Sequence, residues 1–190
     1  MKISLIAFDD FTDIDLWFMW DLLNRVKNQK WEVRILGEKK EHISHTGIVI
    51  KMHGSLEEAN TSDVVLFVSG PGTRTVINNS SFLNSLKLNP EKQLIGSMCS
   101  GALILATLGI LKKGQEATTY PSAKDQLEKF GIKVIEKSFV NLGNVSTAAG
   151  CLSAQELSGW VIEKLLRQEV KDSVLKSILP VGQGLSFNPL

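Results

Sequence analysis

Cysteine is scarce in this chain of 190 residues: there are two, Cys99 and Cys151, alongside only three histidines. So few cysteines exclude a disulfide-stapled scaffold, and two of them without a neighbouring histidine do not make a zinc site. In a reducing compartment both are expected to remain thiols. Charge of one sign is missing too. The 21 Lys and Arg nearly balance the 20 Asp and Glu, for a formal net charge of +1, and no basic run exceeds two residues, as in Lys39-Lys40. Such a surface has no field with which to attract nucleic acid. No apolar run approaches the roughly 20 residues of a membrane span. The run over residues 3–8 is interrupted by Ser4 and ends in Asp9-Asp10, too short for the apolar segment of a signal peptide. These absences predict a cytoplasmic protein with neither a membrane nor a nucleic-acid partner. Repeats and linkers are also absent, so residues 1–190 are expected to form a single domain, with an irregular tail over 178–190.

What is present alternates. Short apolar or β-rich runs at 2–8, 31–37, 63–70 and 93–98 read as strands, several of them apolar on both faces. Between them, residues 13–26, 74–86, 100–111 and 121–131 carry helical periods, the last opened by Pro121 and closed by Gly131. Residues 42–53, with all three histidines, read as a hairpin turning near Thr46-Gly47. Residues 132–150 read as strands with a turn at 142–144, and 153–170 as one long amphipathic helix. This order predicts an α/β fold, a mostly parallel sheet with helices on both faces.

In such sheets ligands gather at the carboxyl ends of the strands. Cys99, in "QLIGSMCSGALILA", stands where a strand ends and a helix begins. Small neighbours, Ser100 and Gly101, would let the helix approach, the arrangement of a nucleophile elbow. The helix N-terminus is expected to lower the thiol's pKa, and the Ser100 N–H to face an oxyanion. Read from the residues alone, Cys99 is first a small buried hydrophobe, as most free cysteines are.

Four segments then resemble the ThiJ/PfpI superfamily, a branch of the class I glutamine amidotransferase-like fold, itself flavodoxin-like. They are "IAFDDFTDIDLW", "VSGPGTR", "GSMCSGALILATLGILKKGQEATTYP" and "STAAGCLSAQELSGWVIEKLL". The resemblance is nearest the isonitrile-hydratase-like subgroup and the amidase-like domains of AraC-type regulators. It implies Cys99 as nucleophile and Asp15 as the acid beside its sulfur, with Asp13 a solvated residue at the helix start. In the glycine loop, Pro71 has no N–H, leaving Gly70, then Gly72, to donate to an oxyanion. Ser100 would contact substrate, and Trp17, Thr119 and Tyr120 would line the pocket. Cys151 reads as packing. Where relatives carry a histidine after the Ala-Thr-Thr segment, this chain has Tyr120, and the three hairpin histidines are expected in solvent, away from the elbow.

An acid–cysteine pair without histidine suits addition to a small electrophile. The resemblance implies hydration of an isonitrile to an N-substituted formamide, or a glyoxalase- or deglycase-like reaction on a dicarbonyl. A cysteine-based redox sensor, its sulfinic acid held by Asp15, is a further reading. Amidase or peptidase action would need a histidine from elsewhere. A DNA-binding regulator would need a helix-turn-helix region for which the chain has no room. No metal or cofactor is expected, the partner is a small-molecule substrate, and the superfamily's habit implies a homodimer.

Overall fold

A computed structural model describes residues 1–187; positions 188–190 of the expected tail lie outside the described residues. In chain order the strands are β1 (Lys2–Ile6), β2 (Glu32–Gly37), β3 (Glu41–Ile43), β4 (Val49–Lys51), β5 (Gly54–Ser55), β6 (Val64–Phe67), β7 (Leu94–Met98), β8 (Glu116–Ala117), β9 (Lys133–Val134), β10 (Phe139–Asn141) and β11 (Val145–Ala148). The helices are α1 (Asp13–Asn24), α2 (Thr73–Val76), α3 (Ser80–Ser85), α4 (Ala102–Thr107), α5 (Lys124–Glu128), α6 (Ala154–Leu165) and α7 (Gln168–Lys176).

Seven strands form one sheet in the order β10-β11-β7-β6-β1-β2-β5. All its pairings are parallel except that of the edge strand β10 with β11. The central strands are buried on both faces, as their unbroken apolar runs require. α1, α6 and α7 pack in one layer, and α2, α4 and α5 associate in another. The expected hairpin is present as β3 and β4, with Gly47 at φ 94 in its turn.

Two expected helices are broken. The segment 74–86 divides at Asn78-Asn79, where the Asn79 side chain accepts a hydrogen bond from Phe82 N–H and caps α3. The long helix at 153–170 ends at Leu165, and the chain restarts as α7 after Arg167 adopts extended backbone. Period alone could not see that break, because the apolar spacing continues across it. The expected irregular tail holds one isolated bridge, Val181 to Leu185, among the described residues. No helix among the described residues is long and apolar enough to cross a membrane.

Candidate active site

β7 delivers Cys99 at the carboxyl edge of the sheet. Its φ of 45° lies in the left-handed region, which costs a residue with a Cβ roughly 1–2 kcal/mol. The elbow is held from three sides. Met98 pairs with Ala148 of β11, Thr119 Oγ1 donates to the Cys99 carbonyl at 2.9 Å, and Gly101 presses against the chain leaving β6. A Cβ at Gly101 would stand 2.8 Å from the Val68 carbonyl oxygen, so the small residue behind the cysteine is a packing requirement.

α1 brings in the acid. Asp15 is completely buried. Its Oδ2 accepts a 2.5 Å hydrogen bond from Ser69 Oγ, whereas Oδ1 has no hydrogen-bond partner among the described residues. A carboxylate oxygen of Asp15, Cys99 Sγ and Cys151 Sγ all lie within 4.8 Å of one another. Cys151 therefore belongs to the cluster rather than to packing alone. The pairing of β11 with β7 explains this: Cys151 follows Ala148 by three residues, through a turn at Gly150 with φ 85, and so comes down beside the elbow. Asp13 is elsewhere. Its carboxylate accepts from Thr46 N–H and Thr46 Oγ1, at 3.3 and 2.9 Å, and tethers the hairpin to α1.

The cluster opens into a cavity of about 480 Å³. Its walls include Ser69, Gly70, Arg74, Cys99, Ser100, Tyr120, Cys151 and His45. His45 corrects the expectation that the hairpin histidines stay away. The loop after β1 pairs with the hairpin through Asp10 N–H to the Ile43 carbonyl and His45 N–H to the Phe11 carbonyl, both at 2.8 Å. On its other side the same loop bonds to Ser69. His45 Nδ1 then lies 2.7 Å from Asp10 Oδ1, directing the ring's other edge away from that carboxylate. The other two histidines are structural. His42 is buried against Asp9 at 2.8 Å, and His53 stacks on Trp20 while accepting from Ile35 N–H.

Other expected lining residues sort differently. Ser100 and Gly70 are in the wall. The Ser100 hydroxyl is 3.0 Å from Thr73 Oγ1 and 3.4 Å from the Gly70 N–H that donates to it. Gly72 is not in the wall, and its N–H is taken by the Asp10 carbonyl at 3.2 Å. Trp17 is also outside it: two residues beyond Asp15 is more than half a helical turn, and the side chain leaves on another face. Thr119 braces the elbow from behind and lines a neighbouring cavity of about 750 Å³, with Tyr120 at the boundary of the two. Arg74, whose guanidinium donates to the Ser122 carbonyl, was visible in "VSGPGTR" only as the end of a glycine loop.

The electrostatics reverse one expectation. The Cys99 thiol is pushed up to about 12, first by burial and then by the negative charge of Asp15; the Gly150 N–H and Ser69 work in the opposite sense. Burial also raises Asp15, and burial and Asp15 lift Cys151 to about 11. The helix-start contribution on which a low thiol pKa was expected is overridden by desolvation beside a carboxylate. Three acidic groups this close cannot all ionise, and the cluster carries at most one negative charge at neutral pH. Transfer of the Cys99 proton to Asp15 produces a thiolate without changing that charge. The three donor atoms are close enough to share one cation, but burial raises the pKa of all three, which opposes ligation.

The model of the DJ-1/PfpI family matches residues 1–164. DJ-1alpha of Drosophila melanogaster is 32% identical over 70% of this chain, which spans 63% of that relative's length. The deglycase PYRAB04690 of Pyrococcus abyssi is 26% identical over 76% of this chain and 87% of its own. The glutathione-independent glyoxalase DJ-1 of Schizosaccharomyces pombe is 23% identical over 94% and 98%. A ThiJ/PfpI family protein from Pseudomonas syringae superposes with a TM-score of 0.83 at 22% identity, covering 94% of this chain and 75% of that one.

Proposed function

Since the chain belongs to the DJ-1/PfpI family, we propose that it is a cysteine-dependent enzyme that adds Cys99 to the aldehyde carbon of a small dicarbonyl, in the manner of a glyoxalase or deglycase. The observation that carries this reading is the sulfur of a strained elbow that lines a cavity and lies within 4.8 Å of a fully buried carboxyl behind it. Asp15 takes the thiol proton as the sulfur attacks, so no net charge is created in a desolvated site. Negative charge then develops on the carbonyl oxygen, beside the N–H of Ser100, with the Gly70 N–H available once it leaves its long 3.4 Å bond to the Ser100 hydroxyl. The first N–H groups of a helical turn have no carbonyl partner, which leaves that of Ser100 for this use. Asp15, behind the sulfur, passes the thiol proton on to the carbonyl oxygen and, freed of it, moves a proton between the two substrate carbons. Water releases the thioester, and dicarbonyl plus water gives a hydroxy acid.

Two curated relatives named as a deglycase and a glyoxalase support the same chemistry. The isonitrile reading came from the resemblance of the sequence segments, and neither of these two relatives is named for it. The test is turnover of methylglyoxal. Cys99→Ser is expected to lose roughly 10³-fold or more, and Asp15→Asn roughly 10²-fold. Unchanged turnover in Cys99→Ser would sink the reading; hydration of an isonitrile in place of dicarbonyl turnover would transfer it to the other substrate class. We further propose a homodimer in the cytoplasm, where thiols persist. Exposed Ile14 and Trp17 of α1, with Ile43, Ile48 and Val49 of the hairpin, are the apolar surface that association would cover.

A further inference from the structure

We propose that Cys151 is a resolving thiol for Cys99: a hydroperoxide oxidises Cys99 to the sulfenic acid, and Cys151 condenses with it to an intramolecular disulfide that an external dithiol reverses. Three observations carry this. The two sulfurs lie within 4.8 Å in one cavity. The buried Oδ1 of Asp15 has no hydrogen-bond partner and belongs to the same cluster. The cavity is open to a small oxidant, with half-exposed Tyr120 and exposed His45 in its wall.

Chemistry gives each group a role. Asp15 accepts the Cys99 proton, and the thiolate attacks one peroxide oxygen. The O–O bond breaks, the sulfur becomes a sulfenic acid, and the second oxygen leaves as water or an alcohol after taking a proton. Cys151 then attacks the Cys99 sulfur. An S–S bond forms, the S–O bond breaks, and the hydroxyl leaves as water with the proton that Cys151 surrenders through Asp15. Sulfur is oxidised at the expense of the peroxide, and the later reduction consumes one dithiol.

Position favours the closure. Sγ atoms within 4.8 Å need a side-chain rotation to reach the roughly 2 Å of a disulfide. Cys151 sits in a single turn after left-handed Gly150 rather than within a long helix. A thiol already in the cavity meets the sulfenic acid at a high effective concentration, ahead of a second peroxide molecule. The reversible bond would thus intercept irreversible oxidation to sulfinic acid.

The experiment treats the full chain with three equivalents of hydrogen peroxide, enough for both oxidation steps, and reads intact mass, with and without later dithiothreitol. Wild type is expected to lose two hydrogens, run as an unlinked chain on a non-reducing gel, and return fully to its starting mass. Cys151→Ser, and separately Cys151→Ala, are expected instead to gain two oxygens at Cys99 that dithiothreitol does not remove. The position is only partly buried, so both variants keep the fold. Oxygen addition in wild type equal to that in the variants would overturn the proposal. So would a disulfide formed between chains, or no reaction over a period in which a free thiol is consumed. The readout is mass, so it stands whether or not dicarbonyls are turned over.

Discussion

Replacing Asp15 by asparagine separates nucleophile ionisation from proton transfer. The carboxylate and the sulfur are within 4.8 Å, and at an effective dielectric of about 20 the charge of one raises the cost of ionising the other by about 3 kcal/mol. That is about two pH units. In a Cys151→Ser background, which removes the competing thiol, the Cys99 ionisation that lies near 12 beside ionised Asp15 is expected near about 10 in Asp15→Asn. Burial, the larger cause, persists in the variant and keeps the thiol above its ordinary range. The assay is the pH dependence of iodoacetamide alkylation at Cys99. With Asp15 present, a low plateau should precede the rise, from molecules in which the carboxyl holds the thiol's proton; the asparagine variant has no such plateau. Methylglyoxal turnover should fall in the same variant, although its thiol ionises more readily at high pH. An alkylation midpoint that stays put or moves upward would refute the coupling. The asparagine can still accept from Ser69, so local packing is retained.

Gly70→Ala is expected to destabilise the protein by about 1–3 kcal/mol, because the new Cβ would meet the Asp10 carbonyl oxygen at 2.3 Å; an unchanged urea midpoint would show that the two loops are not packed as described. Burial alone would raise Asp9, but hydrogen bonds from Lys39 and His42 outweigh it and hold the carboxyl at about 2. Its stabilising contribution is therefore present above the unfolded value near about 4 and is lost as pH falls towards about 2. Asp9→Asn should flatten that part of the acid unfolding curve, and the half-exposed side chain makes the effect a modest one. Asp15 has the opposite sign: its raised carboxyl favours the fold most below about pH 4, and the benefit is lost as pH rises through the native value. Urea midpoints of wild type relative to Asp15→Asn should therefore fall as pH rises above about 4, and a constant difference would contradict the buried carboxyl.

Much of the architecture was legible because parallel strands buried on both faces leave an unmistakable apolar run, as in residues 64–67 and 94–98. The elbow was legible for a related reason: only small residues can follow Cys99 where the helix crosses the chain leaving β6. The rest depends on contacts between distant segments, which period and composition do not encode. His45 reaches the cavity because the hairpin pairs with the loop after β1. Cys151 reaches it because β11 pairs with β7 in one register and leaves through Gly150. The thiol's pKa was read with the wrong sign because a helix start is visible in sequence, whereas desolvation beside a carboxylate is a product of packing.

Two unfavourable features coincide at this one place. A non-glycine residue is held at φ 45, and a fully buried carboxyl keeps one oxygen without a partner. Each costs on the order of 1–3 kcal/mol against a typical total stability of about 5–15. Glycine at the turn and an apolar residue on the helix would remove both costs without altering the sheet, so architecture does not explain them. The proposed reactivity would: the strain would present the sulfur to the cavity, and the unpartnered oxygen would accept its proton. Because the cluster holds at most one negative charge, the proposed carbonyl addition and oxidation would draw on the same thiolate. Joining Cys99 to Cys151 removes that nucleophile, so a peroxide that closes the disulfide also silences the carbonyl chemistry until a dithiol restores it.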